Sequence, residues 1–144
     1  MYYLTFYFFF KFLPGGILAL LDEPNNELKS FALRKLTSSY QAGPVEELQP
    51  AGAGSGAGIS VLDVFWPEIA DRITDLEVLC EDPSFKDRCL VALVISKVYY
   101  HLGAYDEALN YALGADDLFD VNQRSEYVET IIGKSDIHLS RKSS

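Results

Sequence analysis

The residue types that most often carry catalysis are few and scattered in this chain. Its candidates are two histidines, His101 and His138, and two cysteines, Cys80 and Cys89. A nucleophile needs a base within hydrogen-bonding reach, and a zinc site needs closely spaced ligand pairs such as C-x-x-C. The cysteines lack that spacing, and no histidine pair accompanies them. The sequence therefore predicts no catalytic residue, no metal site and no cofactor.

Two acidic pairs, Glu81-Asp82 and Asp116-Asp117, fall at predicted helix boundaries, where acidic side chains commonly cap helices. A calcium site would need a spaced ligand loop such as D-x-D-x-D-G, which the sequence lacks. His101 lies just before a predicted helix end, where the helix dipole favours the protonated imidazole. We interpret these residues as parts of helix ends.

Spacing alone leaves the state of the cysteines open, because Cys80 and Cys89 flank the Asp82-Pro83 break. A reduced, intracellular pair is favoured, since disulfides are rare in reducing compartments. A disulfide is the alternative.

Residues 37–58 are rich in glycine, alanine, serine and proline, which is typical of a flexible loop. Four glycines at the end of this segment alternate strictly, so the G-x-G-x-x-G spacing of a phosphate-binding loop is not met; they are Gly52, Gly54, Gly56 and Gly58. No Lys-Ser/Thr pair follows them and no predicted strand precedes them. We predict a loop insertion without nucleotide binding.

Composition indicates one globular domain with a genuine core: the chain has 144 residues, of which 49% are hydrophobic and 23% charged. The formal net charge of −9 disfavours nonspecific binding of nucleic acid, which requires basic surface. It favours a soluble protein or a basic protein partner.

The stretch from Lys97 to Val121 organises these elements as two helices around one glycine. Cys89 to Leu102 is apolar except at Ser96, Lys97 and His101, and it is too long for an ordinary strand, so it predicts a buried helix. Gly103 supplies the left-handed residue that helix C-caps prefer. A second helix then carries an apolar stripe at three- and four-residue spacing, formed by Tyr105, Ala108, Ala112, Ala115 and Phe119.

A helix that is apolar nearly all round needs cover on more than one side, so the hairpin predicts stacked neighbours. The run YYHLGAYDEAL resembles a tetratricopeptide hairpin, but no second copy occurs at the period of about 34 residues. The predicted fold is therefore all-α: a non-periodic α-solenoid, or tetratricopeptide-like rod, of stacked antiparallel helix hairpins with a flexible loop insertion.

The remaining helices follow from caps and breaks. A helix after Pro24-Asn25 is predicted to turn five residues inward, namely Leu28, Phe31, Ala32, Leu33 and Leu36. Ser60 and Asp63 predict a capped helix start, and Pro67 fits the first turn of a further helix. That helix carries Ile69, Ile73, Leu76 and Leu79, and Trp66 before it is interpreted as a core anchor.

Asp82 and Pro83 are predicted to end the preceding helix and to begin the central one, as N-cap and first helical residue. A last helix is predicted through Tyr127, Val128, Ile131 and Ile132. The domain is expected to span residues 15–134, with a frayed tail at 135–144.

Residues 1–14 form an aromatic-rich extension that makes a poor signal peptide. Lys11 and the Pro14-Gly15-Gly16 breaker argue against a membrane-spanning helix, so we expect no membrane insertion. This segment is either an unusual extension or foreign to the native product.

Four segments occur in the order GILALLDEPNNELKSFALRKL, DVFWPEI, LEVLCEDPSF and ALVISKVYYHLGAYDEALNYALGADDLFDVNQRSEYVETIIGK. Together they resemble the N-terminal region of the largest non-ATPase subunits of the proteasome regulatory particle base. The resemblance covers residues 15–134, apart from the 37–58 loop. It implies a helical rod that precedes a toroid of proteasome/cyclosome repeats.

That resemblance also implies a non-catalytic scaffold that helps hold ubiquitin receptors and other lid and base subunits. It implies a location in cytoplasm and nucleus, and no binding of nucleic acid or of a small-molecule substrate. The chain departs from the family in its aromatic N-terminus, in its loop and in stopping before any toroid repeat. We therefore expect a fragment, a splice variant or an imperfect gene model. The alternative is a free-standing tetratricopeptide-like adapter that binds short peptides in a concave groove, for which this chain has few helix pairs.

Overall fold

The computed structural model describes residues 14–38 and 60–142, with side chains through residue 134. Helices account for most of these residues, and the all-α prediction is confirmed. The α-helices, in chain order, are α1 Pro14–Leu21, α2 Asn26–Thr37, α3 Val61–Ala70, α4 Ile73–Glu81, α5 Arg88–Leu102, α6 Tyr105–Gly114 and α7 Glu126–Lys142. A 3₁₀ turn, Asp116–Leu118, joins α6 to α7.

Helix α5 lies at the centre of the stack and packs against α2, α3, α4, α6 and α7. Its buried residues occupy more than one face: Val91, Ala92, Val94, Ile95, Ser96 and Val98. The valines and Ile95 join a core with α1 to α4, whereas Ala92 joins a second core with α6, the 3₁₀ segment and α7. The prediction that this helix is covered on more than one side is confirmed.

Gly103 closes the hairpin between α5 and α6 with φ of 81°, in the left-handed region that the sequence predicts. Its N–H donates to the Tyr100 carbonyl, and the next N–H, from Ala104, donates to the Tyr99 carbonyl at 2.9 Å. The alanines of the predicted stripe, Ala108, Ala112 and Ala115, are fully buried. Small side chains at these positions allow the two helices to approach closely.

The predicted start of the central helix at Asp82-Pro83 is wrong, because α5 begins at Arg88. The predicted end of the preceding helix is confirmed, because Asp82 is the C-cap of α4. Its carboxylate accepts the backbone N–H and the hydroxyl of Ser84 at 2.9 and 2.7 Å. This local turn competes with helix formation. Phe85, which is 1% exposed, then inserts into the first core and fixes the turn.

Two further details of the predicted helices differ from the structure. The single helix expected from Ile69 to Leu79 is divided, since α3 ends at Ala70 and α4 begins at Ile73. On α2, Leu28 and Phe31 are 37% and 43% exposed rather than inward-facing. Neighbouring helices cover only one side of α2, and other residues of that helix fill the contact: Ala32, Leu33 and Leu36.

The capped start predicted at Ser60 and Asp63 is confirmed, since the two residues form a reciprocal capping box at α3. Asn25, predicted as part of a break, caps α2 by accepting the N–H of Glu27. A kink at Phe65 divides α3, so that Pro67 lies in the first turn after the kink, where its missing N–H leaves no helical hydrogen bond unmade.

The predicted extension, residues 1–14, lies outside the described residues except for Pro14, which begins α1. The predicted loop, residues 37–58, also lies outside them except for Thr37, which ends α2, and Ser38. The helical backbone of α7 continues to Lys142, past residue 134, where the sequence places the end of the domain. Among the helices of the described ranges, none combines the length and apolar character needed to cross a membrane.

Candidate functional site

Three polar residues in the second half of the largely apolar α5 point into contacts with neighbouring helices. Ser96 is fully buried, and Lys97 and His101 are partly buried. Together with Asp63 and Tyr127, which approach from α3 and α7, they form what we name the α5 polar network.

Ser96 links three helices through one hydroxyl group. Its Oγ donates to the carbonyl oxygen of Ala108 on α6 and lies 2.5 Å from the phenol oxygen of Tyr127 on α7. Because the serine hydroxyl has one hydrogen and a carbonyl only accepts, Tyr127 donates to Ser96. Burial raises the pKa of Tyr127 to about 12, although the hydrogen bond with Ser96 lowers it, so the phenol keeps its proton.

Asp63 and His101 join α3 to the C-terminal end of α5. Nε2 of His101 lies 3.0 Å from Oδ1 of Asp63, while Oδ2 accepts the N–H and hydroxyl of Ser60. Burial raises the pKa of Asp63, but the hydrogen bonds from His101 and Ser60 and the charge of Lys97 outweigh it and lower that pKa to about 2. The carboxylate is therefore ionised at neutral pH, and one side chain both caps α3 and fastens it to α5.

Aromatic rings surround this pair. The indole of Trp66 stacks on the His101 imidazole, with ring centroids 5.6 Å apart and planes 3° from parallel. The ring of Tyr100 meets both His101 and Tyr127 edge-on. Trp66, interpreted from the sequence as a core anchor, is partly buried and packs against the first core.

Lys97 lies above the face of the Tyr127 ring, with Nζ 5.6 Å from the ring centroid. Burial lowers the pKa of Lys97, and the nearby Asp63 carboxylate opposes that shift. A cation over an aromatic face is stabilising, so Lys97 adds a third link between α5 and α7.

A second tyrosine cluster ties α4 to the hairpin. Glu77 accepts the hydroxyl of Tyr99 at 2.6 Å and that of Tyr111 at 3.3 Å, and the two rings stack 5.7 Å apart. The hydrogen bond to Glu77, followed by burial, raises the pKa of Tyr99 to about 12. One carboxylate on α4 thus holds α5 and α6 in a fixed relation.

These polar groups satisfy one another instead of converging on an empty space. Within the described side chains, every buried nitrogen and oxygen atom has a hydrogen-bond partner, and no three His, Cys, Asp or Glu residues are grouped to hold a metal ion. The chemistry available to such an arrangement is structural, since it fixes how the helices stack.

The surface carries a cleft of about 330 Å³ where the α1–α2 turn meets α4. Arg72 bridges this region by a two-pronged ion pair with Asp22, with N–O distances of 2.6 and 2.9 Å. The carboxylate of Asp75 is a second neighbour of the same guanidinium, at 3.7 Å. We interpret the cleft as the seam between two packed parts of the stack.

The structure separates the candidates raised by the sequence. His101 belongs to the α5 polar network, Cys80 and Cys89 are free thiols, and Asp116 adopts φ of 55° at the start of the 3₁₀ turn. The side chain of His138 and the alternating glycines of the loop lie outside the described residues.

Sequence reasoning missed the partners: Asp63 for His101, Tyr127 for Ser96, and Glu77 for the tyrosines. One signal was present, because Lys97 and His101 are four residues apart and so share a face of an apolar helix. A polar stripe on a buried helix indicates that polar partners exist, although spacing does not say on which helix they lie.

The stack and its internal polar contacts define an all-α, solenoid-like module whose polar side chains hold helices together. A family model described as the 26S proteasome subunit RPN2, N-terminal domain, matches residues 59–143, the part of the chain that contains α3 to α7. The chain belongs to this family.

Curated relatives agree with that assignment. The chain is 45% identical over 129 residues to a Drosophila melanogaster protein named 26S proteasome non-ATPase regulatory subunit 1, covering 89% of this chain. It is 38% identical over 119 residues to the Saccharomyces cerevisiae 26S proteasome regulatory subunit RPN2, and 39% identical over 123 residues to an Arabidopsis thaliana homologue, covering 83% and 84% of this chain. In each case the chain spans 10% of the relative's length.

Proposed function

We propose that this chain is an N-terminal helical part of a non-catalytic scaffold subunit of the proteasome regulatory particle base, and that it supports ubiquitin-dependent protein degradation. The family match over residues 59–143 carries the proposal, since it covers the continuous stack from α3 to α7. The relatives are named as regulatory or non-ATPase subunits, which favours a role without turnover. The proposed partners are other base and lid subunits, in cytoplasm and nucleus.

The contacts of the hairpin support a scaffold role. The hydrogen bond between Ser96 and Tyr127 joins α5 to α7, and that between His101 and Asp63 joins α5 to α3. Glu77 joins α4 to the hairpin. Together these hydrogen bonds make the stack rigid. A scaffold acts by holding partner surfaces at fixed positions, and that requires rigidity. Large apolar side chains remain exposed along the outer side of the hairpin and its 3₁₀ turn, where partners can contact them: Leu102, Leu113, Leu118 and Val121.

The test is affinity purification of the tagged full chain from cells, with base and lid subunits quantified by mass spectrometry. We expect those subunits to be enriched over a tag-only control. Ala108→Leu is the matched variant, because extra volume at this fully buried contact costs about 1 to 3 kcal/mol. It should reduce the enrichment, whereas the exposed change Glu129→Gln should not.

A folded chain that enriches no proteasome subunit would contradict the proposal. Capture of short peptides by the purified chain, without proteasome subunits, would support the adapter alternative instead. Assays of peptidase, ATPase and deubiquitinase activity should show no turnover. Activity that is lost in Cys89→Ser or His101→Ala would contradict a non-catalytic role.

A further inference from the structure

Two thiols lie at the turn that joins α4 to α5. Cys80 is near the end of α4 and partly buried, while Cys89 is in the first turn of α5 and exposed, and both are free. The turn brings these helix ends together, since Nε of Arg88 donates to the carbonyl oxygen of Cys80 at 2.8 Å.

Two contacts place the Cys80 thiol beside Cys89. Its Sγ lies 3.9 Å from the carbonyl oxygen of Arg88, and that carbonyl carbon is bonded directly to the nitrogen of Cys89. Cys80 also packs against both cores, and each core includes residues of α5. The Cys80 thiol therefore lies against the first turn of α5, the turn that carries Cys89.

We propose that Cys80 and Cys89 are a thiol-oxidation site that forms an intramolecular disulfide on reaction with a small-molecule disulfide such as oxidised glutathione. The Cys89 thiolate attacks one sulfur of the reagent, forming a mixed disulfide and releasing one thiolate. The Cys80 thiolate then attacks Sγ of Cys89, forming the bond between Cys80 and Cys89 and releasing the second thiolate. The two protein thiols are oxidised, the reagent is reduced, and the two protons lost by the cysteines go to the released thiolates.

The surroundings of the two thiols set this order. Cys89 is exposed, so it meets the reagent first. Burial raises the pKa of Cys80, against the lowering effect of the Arg88 guanidinium, so Cys80 suits the later intramolecular step. In that intramolecular step, the high local concentration of the mixed disulfide offsets the small fraction of Cys80 that is present as thiolate. The product would tie the end of α4 to the start of α5 across residues 81–88.

The experiment uses the full chain and oxidised glutathione as the probe. After incubation, remaining thiols are alkylated, and intact mass and peptide mapping identify the products. We expect the loss of two hydrogen atoms, a peptide linking Cys80 to Cys89, and a higher thermal midpoint than in the reduced chain. Reductant should reverse all three changes.

Serine variants test the two roles. Cys80→Ser should stop at a stable glutathione adduct on Cys89, and Cys89→Ser should leave Cys80 largely unmodified, in each case without the rise in thermal midpoint. Wild-type chain that accumulates separate adducts on both cysteines, or that links through Cys89 into dimers, would overturn the proposal. If a variant fails to fold, as judged by circular dichroism, the wild-type products alone decide between these outcomes.

Discussion

The buried hydroxyl of Ser96 allows a quantitative test of the α5 polar network. Ser96→Ala removes the atom that donates to the Ala108 carbonyl and accepts from Tyr127. Ala108 lies inside α6, so its carbonyl retains the ordinary helical hydrogen bond. The phenol of Tyr127 loses its partner in a largely enclosed position. Tyr127→Phe removes the other group and leaves Ser96 still donating to Ala108.

The magnitudes differ because the two changes leave different groups unpaired. Tyr127→Phe should lower the free energy of unfolding by about 1 kcal/mol, the usual net worth of a hydrogen bond. Ser96→Ala should lower it by about 1 to 2 kcal/mol, because a partly buried hydroxyl is left without a partner. The double variant has no unpaired phenol, so it should lose less than the sum of the two, with a coupling energy of about 1 kcal/mol.

Urea unfolding of the four proteins measures these energies. Circular dichroism reports the helices, and fluorescence of Trp66, the single tryptophan, reports the neighbourhood of the network. Coincident transitions from the two probes would justify two-state free energies. Tyr105→Phe serves as the matched control: its ring on α6 contacts Tyr100 but its phenol is not part of the network, and the change should stay within about 0.5 kcal/mol.

Additive effects would refute the reasoning. If the double variant loses the sum of the single losses, to within about 0.3 kcal/mol, Ser96 and Tyr127 do not share a hydrogen bond in solution. A loss from Tyr105→Phe as large as that from Tyr127→Phe would show that the effect comes from removing any phenol in this part of the stack.

Three further expectations test other parts of the stack. Gly103→Val should lower the free energy of unfolding by about 1 kcal/mol or more, and with it the thermal midpoint, because φ of 81° strains a β-branched residue. An added Cβ meets no neighbour, so Gly103→Ala should cost less. Wild-type melting of both variants would be contrary evidence. Replacing residues 39–59 by a short glycine linker should change the free energy of unfolding by about 1 kcal/mol or less. The two ends of the segment already lie close together, because the Val61 N–H donates to the Ser38 carbonyl at 3.3 Å. A deletion variant that is unfolded would show that the segment belongs to the fold. The lowered pKa of Asp63 stabilises the fold at pH values above its ordinary value of 3.8, and this stability is lost as the pH falls toward about 2. Since a third of the side chain is exposed, we expect a loss of about 1 kcal/mol in the free energy of unfolding, measured by urea unfolding across that pH range. Asp63→Asn should remove this pH dependence.

Features with a local cause could be predicted from the sequence. The left-handed turn at Gly103 follows from the lack of a side chain, and the capping box at Ser60 and Asp63 follows from residue types three positions apart. The burial of α5 follows from its length and apolar character. Each of these signals lies within one or two helical turns, so no knowledge of the neighbouring helices is needed.

Features decided by other helices could not be predicted in the same way. Asp82-Pro83 fits a helix start as well as a turn, and the choice depends on the hydrogen bonds of Ser84 and on the insertion of Phe85 into the core. The apolar pattern of α2 marks a face, but the width of the covered part depends on its neighbours, which leave Phe31 partly exposed.

The candidate site shows the same limit more strongly. Ser96 and Tyr127 are 31 positions apart, and Asp63 and His101 are 38 apart. Polar residues on an apolar helix indicate that partners exist, since buried polar groups are costly when unpaired. Their identity depends on how the helices cross, which spacing within one helix does not determine.

The α5 polar network contributes more to choosing one arrangement of helices than to total stability. Apolar burial is non-directional, so it distinguishes one register of two helices from another less sharply than a hydrogen bond does. Ser96 meets both the Ala108 carbonyl and the Tyr127 phenol only in one register of α5, α6 and α7. A correct hydrogen bond contributes about 1 kcal/mol, whereas a buried hydroxyl left unpaired in a shifted stack costs about 1 to 3 kcal/mol. The penalty on wrong stacking therefore exceeds the gain from correct stacking, which is what the proposed scaffold role requires.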